Sequence, residues 1–436
     1  MIHATLDHWI RHEAIPFSVD SSEACNAAID KIIALLDDSV ELLGFGEALH
    51  GGEDILMLRN RLFQRLVETH GYSAIAIESS FPRGRVVNEY VAGRGPSSYE
   101  AVQDTGFSNR FGQLEANREL VVWMRQYNAD PSECIPPHKV KLRFYGFDMP
   151  LVAAYYASPS QVLHFVLDYL ALMDSASEQE RRQRIDELLG PDFDWENPAA
   201  IADPTQSVGL SPAATALRIE TEDLITELRI RRPELTAKSD PDRYSEALHY
   251  AVAARQLLNY HAGVARKSNA DVLLGMRDAS MADNLAYIVS RERGRGKVLA
   301  FAHNSHLQRG KAVWPWYAFW PVGSHLHEMF GPRYAVIGSA VGVSDANGIG
   351  RPEAGSLEAK LTALPGSTVF IPTHKGQGLP AAEIASLPTR SGSMKNLSYG
   401  VLTPQSFTGF DWLAVLDSTA YSRGGPPLQQ PDASAG

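Results

Sequence analysis

Six titratable residues stand where short apolar runs give way to polar sequence: Glu47 and His50 in GEALHGG, Glu78 in IESS, Asp148 in GFDMP, and His303 and His306 in AHNSH. Histidine near carboxylate is the pairing that general acid–base work requires. The imidazole takes or gives a proton near neutral pH, while the carboxylate selects its tautomer and favours the charged ring. Such a set serves activation of water against a carbonyl, and equally proton transfer without hydrolysis. His303-x-x-His306, with His50 and Glu78 or Asp148, also offers the ligand types that zinc takes. That spacing is not HExxH, and a strand-to-loop turn does not hold it in a tetrahedron, so general base chemistry takes precedence over a metal. No G-x-S-x-G elbow, G-x-G-x-x-G turn or Walker loop occurs, which leaves a serine nucleophile and nucleotide cofactors without support. Neither Cys25 nor Cys134 adjoins a histidine-bearing run.

Two arginines extend the set. At 100° per residue, Arg59 falls in the stripe drawn by Ile55, Leu58, Leu62, Phe63 and Leu66 on a helix expected over 55–69. Burying an unpaired cation is costly, so a carboxylate partner is expected, Glu47 or Glu78. On a second helix, over 276–290, Arg277 shares a face with Met281, Asn284 and Ile288. Arg59, Arg277 or a protonated His303 is a candidate to supply positive charge to a developing oxyanion. Beyond His306 come Trp314, Trp316, Tyr317, Phe319 and Trp320. They read as a packed loop or as an apolar wall for a bulky or flat substrate.

The elements that must position these residues are legible from the runs themselves. Those at 42–47, 74–78, 142–148, 298–303, 334–340, 368–372 and 412–417 are continuously apolar rather than alternating. A strand covered on both faces has this pattern, and helical periods lie between the runs. The expectation is therefore an α/β fold with a mostly parallel central sheet flanked by helices. In such sheets ligands bind outside the carboxyl ends of the strands, which is where the titratable residues fall. Residues 158–275 hold no convincing strand and read as a helical insertion forming a lid or cleft wall. It separates a first α/β segment, 1–157, from a second, 276–422, and the Gly- and Pro-rich tail 423–436 reads as disordered.

Composition narrows the partners. With 40 basic against 51 acidic residues the net charge is −11, and no Lys/Arg block gives a footprint for nucleic acid or an anionic membrane. A neutral or cationic small molecule is not repelled by that charge. Two cysteines in 436 residues make no disulfide framework. The first residues lack a signal-peptide pattern and no long apolar span occurs, so a soluble, cytoplasmic protein is expected.

At these same residues the chain resembles the erythromycin esterase family. The likeness runs in order through GEALHG at 46–51 with Arg59 nine residues after the histidine, LVETHGYSAIAIES at 66–79 and NEYVAGRG at 88–95. It continues through YGFDM at 145–149, RDASMADNLAYI at 277–288, AHNSHL at 302–307, GSHLHEMFGPRYAVIG at 323–338 and FDWLAVLDST at 410–419. The resemblance implies an α/β core with a helical portion, and hydrolysis of a macrolactone ester by water that a histidine activates, with neither an acyl-enzyme nor an obligatory metal or cofactor. Carried over by motif, His50 is the general base and Glu78 the carboxylate that orients it or shares its proton. Glu47, Arg59 and His303 complete the catalytic set. His306, Asp148, Arg277, Trp314 and Trp316 would contact a bulky substrate. Leu49 departs from the hydroxyl or amide that many relatives carry before the histidine. A tailoring enzyme that uses the same set for dehydration, cyclisation or isomerisation is the alternative.

Overall fold

The apolar runs become strands because each is covered on both sides. The computed structural model describes residues 5–129, 140–152, 155–173, 175–314, 317–363 and 368–426. Its strands are β1 (Ile15–Pro16), β2 (Leu42–Glu47), β3 (Tyr72–Ser80), β4 (Arg143–Asp148), β5 (Leu151–Val152), β6 (Tyr155–Tyr156), β7 (Lys297–His303), β8 (Ala312–Trp314), β9 (Tyr317–Phe319), β10 (Tyr334–Val343), β11 (Val369–Pro372) and β12 (Trp412–Ser418). Eight of them form one sheet in the order β1-β11-β12-β10-β2-β7-β3-β4. From β12 to β4 every neighbouring pair is parallel. The fold is thus the expected α/β arrangement, with one feature the run at 368–372 did not reveal: β11 and β1 close the far edge antiparallel.

Alternate residues feed opposite cores. Leu43, Phe45, Ile75, Ile77, Leu299 and Phe301 enter one, beneath helices Ser22–Ala34, Glu53–Thr69 and Glu115–Ala129. Leu42, Ala74, Ala76, Val298, Ala300 and Ala302 enter the other, beneath Ala270–Glu292 and Val322–Phe330. The alanines on this second face let the long helix Ala270–Glu292 lie close to the sheet, which is how Arg277 reaches the strand ends.

Between β6 and β7 the described residues are helical or irregular. Helices Ser160–Ala171, Ser175–Leu189, Pro212–Ile230 and Pro241–Ala265 build a core of their own around Val162, Val166, Leu217, Leu224 and Leu258. Phe81 and Tyr287 join that core to the sheet. Side-chain caps start three of the long helices: Ser211, Asp240 and Asn269 accept from the amides of Ala214, Arg243 and Val272. The boundary read at 275 falls inside the single helix Ala270–Glu292. Arg423, read as the start of a loose tail, is instead fastened: its Nε donates to Glu53 at 2.6 Å. Residues 427–436 of that tail lie outside the described residues. Among the described residues no helix is long and apolar enough to cross a membrane.

Candidate active site

Four neighbouring parallel strands, β2, β7, β3 and β4, carry the titratable residues at their carboxyl ends. Glu47 closes β2 directly beside His303 of β7 in register, and Asp148 closes β4 opposite Ser80 of β3, two residues beyond Glu78. After β2 the chain reverses through Gly51 at φ +78, a left-handed conformation open to glycine, and a Cβ there would lie 3.0 Å from the Tyr421 ring. Three residues beyond Glu47, His50 lies just before this turn and folds back to meet that carboxylate.

His50 Nδ1 meets Glu47 Oε1 at 2.6 Å. With Nδ1–H donated to the carboxylate, Nε2 is the basic nitrogen of the neutral ring, and His50 lines an open cleft of about 340 Å³. Burial, the largest single influence on the ring, favours its neutral form. The charge and hydrogen bond of Glu47, with the charge of Glu78, outweigh it and push the pKa up to about 9. Burial likewise raises Glu47 against the pull of His50, and Glu47 Oε2 is buried with no hydrogen-bond partner among the described residues. The pair therefore keeps one proton well above neutral pH.

Glu78 behaves differently, and the expectation that it orients His50 is corrected. Its Oε1 accepts from Arg277 at 2.8 Å and its Oε2 from the His303 amide at 2.9 Å; no hydrogen bond joins it to His50 among the described residues. Burial pushes its pKa up, but His306, His50, Arg277 and the His303 amide together hold it far below the usual carboxylate range. Glu78 is thus a fixed anion at the cleft floor. Arg277 forks onto Asp148 at 2.9 and 2.6 Å and donates toward His306 Nε2 at 3.2 Å. Asp148 is fully buried behind this guanidinium, so its expected contact with substrate is also corrected: it holds Arg277. His306 in turn gives Nδ1–H to Asp278 at 2.8 Å.

His303 is locked neutral. Its Nδ1 accepts from the Ser305 amide at 3.1 Å, with the Ser305 hydroxyl 2.7 Å away, and its Nε2–H donates to the Ser398 carbonyl at 2.8 Å. Burial first, and then the charge of His50, pull its pKa down to about 3. A protonated His303 facing an oxyanion is therefore not what this site offers. Arg59 is buried, as its place on the helix implied, but among the described residues no carboxylate pairs with it. Amides take that part: Asn60 accepts at 3.0 and 2.7 Å and Asn117 at 2.7 Å, with the guanidinium 4.8 Å above the Phe301 ring. Arg59 acts beneath the site, with Glu47 and Glu78 near it around one small void.

Trp314 stands on the hairpin β8–β9, paired in register with Tyr317, and both line the cleft. Trp316 lies outside the described residues. Sequence reasoning missed Tyr156, Asn109, Ser305, Leu397 and Ser398, which line the same cleft, and Asp278, which holds His306. In RDASMADN, Asp278 directly follows Arg277, the residue already singled out on that helix, and that was the available signal. Irregular chain carries Ser398, and nothing in its neighbourhood announces it. No group of three or more His, Cys, Asp or Glu side chains with metal-holding geometry occurs among the described residues.

A His–Glu pair, a fixed carboxylate and a forked arginine thus stand together at the parallel strand ends of an α/β fold, around an open cleft. The family described as erythromycin esterase matches residues 67–408, and the chain belongs to it. That stretch includes Glu78, Asp148, Arg277, His303 and His306, while Glu47, His50 and Arg59 precede it. Erythromycin esterase type II of Escherichia coli is 21% identical over 342 residues, covering 76% of each chain. Erythromycin esterase type I of the same organism is 23% identical over 316 residues, covering 68% of this chain and 70% of its own. Among solved structures, a Bacillus cereus protein superposes with a TM-score of 0.72 at 18% identity, covering 97% of this chain and 98% of that one. An erythromycin esterase mutant in its open conformation gives 0.65 at 17%, covering 90% and 94%.

Proposed function

We propose that the protein hydrolyses a bulky carboxylic ester of the macrolactone class with water that His50 deprotonates, and without a covalent intermediate. The observation that carries this is His50 itself: Nδ1 is committed to Glu47 at 2.6 Å, and the ring lines the cleft. Water adds to the acyl carbon as its proton passes to Nε2. The oxyanion forms near the positive charge of Arg277, which Asp148 and Glu78 hold in place. Collapse then breaks the acyl carbon–oxygen bond, and the imidazolium returns the proton to the departing alkoxide. One water is consumed, giving acid and alcohol. Family membership supports an esterase, and the two Escherichia coli relatives support a macrolide as the ester. Trp314 and Tyr317 offer an apolar wall for a ring of that size, and the net charge of −11 does not oppose a cationic amino sugar.

The test is mass spectrometry of erythromycin incubated with the protein, with and without a chelator. A gain of one water, kept in chelator and lost in His50→Ala, is expected. A product of unchanged or lower mass would overturn hydrolysis in favour of isomerisation or dehydration. Intact erythromycin would overturn the macrolide reading, and inhibition by the chelator the metal-free route.

A further inference from the structure

The segment running from Ser393 to Tyr399 is neither helix nor strand, yet Asn396 and Ser398 in it hold the two histidines at the cleft mouth. The Ser398 hydroxyl accepts from the His50 amide at 2.9 Å and donates to Asn396 Oδ1 at 2.6 Å. Asn396 Nδ2 donates to the His50 carbonyl at 3.1 Å and to Asn347 at 2.9 Å. The Ser398 carbonyl takes the Nε2–H of His303 at 2.8 Å. Both backbone groups of His50 and the ring of His303 are therefore held by residues 396 and 398. The residue between them is Leu397. It lines the cleft with Trp314 and Tyr317 but is 78% exposed, so burial on folding does not account for a leucine there.

Resting on the ester-hydrolase reading above, we infer that Leu397 is a specificity-determining residue for bulky apolar esters, and that Asn396 and Ser398 are positioning residues for His50. A substrate ring lying between Leu397 and the Trp314–Tyr317 hairpin is sandwiched by apolar groups. A small ester reaches His50 without touching Leu397. Losing such a contact removes binding that ground state and transition state share, so it raises KM and leaves kcat alone. Losing the Ser398 hydroxyl unfastens the His50 amide and lowers kcat, because displacement of the base costs rate even where binding persists.

Kinetics on erythromycin and on p-nitrophenyl acetate with the full chain test this. Leu397→Ala raises KM for erythromycin about ten-fold, in line with loss of a small apolar contact, and raises KM for the acetate far less. Ser398→Ala lowers kcat on both esters by about ten-fold or more at nearly constant KM, and Ser398→Thr, which keeps the hydroxyl, restores it. Equal effects of Leu397→Ala on both esters, or none on either, overturn the specificity role. Unchanged kcat in Ser398→Ala, or failure of threonine to rescue, overturns the positioning role. Failure of the wild-type chain to cleave either ester overturns the underlying reading instead.

Discussion

Glu47 sets the pH at which His50 becomes a base. Only the neutral ring accepts a proton from water, and with its pKa pushed up to about 9 that form is scarce at neutral pH. The rate constant kcat/KM therefore rises with pH, with the midpoint of its rising limb near 9. In Glu47→Gln the larger of the two charges that raised the ring is gone, and burial, which favours the neutral form, meets less opposition. The rising limb then moves to lower pH, and the plateau falls on the order of 10²-fold because the oriented carboxylate is lost. A limb that stays near 9 in this variant would assign the shift to another group. Arg277 carries a second prediction. Its fork is what compensates Asp148, whose side chain is wholly buried, and Arg277→Met leaves that carboxylate unpaired. Removing one partner of a buried ion pair costs about 3–5 kcal/mol, to be read as a lower midpoint in urea denaturation.

At the level of elements, close backbone approach decides how precisely the strand ends meet. Helix Phe81–Val91 rests on β4 at a glycine–glycine contact: a methyl on Gly84 would land on the backbone nitrogen of Gly146. No flexible side chain is there to yield, so Gly84→Ala must lift the helix off the strand. Overpacking of this kind costs about 1–3 kcal/mol, measurable by denaturation, and the shift at Asp148 should lower kcat as well. Intact stability would mean that the helix can slide. How far such elements were legible follows from the same physics. Runs covered on both faces announced β2, β3, β4, β7, β10 and β12, since two cores leave no polar face to interrupt them. β1 has two residues, Ile15 and Pro16, too few to show any period. The helical wheel placed Arg59 in the core correctly but not its partners, because Asn60 and Asn117 satisfy a guanidinium with amide oxygens that leave no charge signature in the sequence. Pairing of His50 with Glu47 rather than Glu78 depended on how residues 47–50 fold back at the end of β2, and Ser398 became visible only when a distant loop folded over both histidines.

Across the whole molecule, the histidines with shifted pKa values divide into two sets that pull stability in opposite directions with pH. Burial, opposed in each ring by one hydrogen bond, holds His249 and His261 of the helical portion down to about 4, and burial with the charge of His50 holds His303 at the sheet down to about 3. In the unfolded chain such rings titrate near 6.5. Between those values the unfolded state binds more protons than the folded one, so stability present above pH 6.5 is lost as pH falls. His50, raised, contributes stability that is fully present below 6.5 and lost as pH rises through about 9. The result is a maximum near neutrality. In the window from pH 6.5 to 5 most carboxylates are ionised in both states and His50 is protonated in both, so the lowered rings dominate the slope. Each contributes about 1.4 kcal/mol per pH unit at most. His249→Gln keeps a donor for Asn284, which the ring now meets at 2.7 Å, but cannot take up a proton. Its urea midpoint should therefore fall less steeply between pH 6.5 and 5 than that of the wild-type chain, by one ring's share. Parallel slopes would show that His249 is already charged in the folded protein, contrary to its burial against Phe81 and Tyr287.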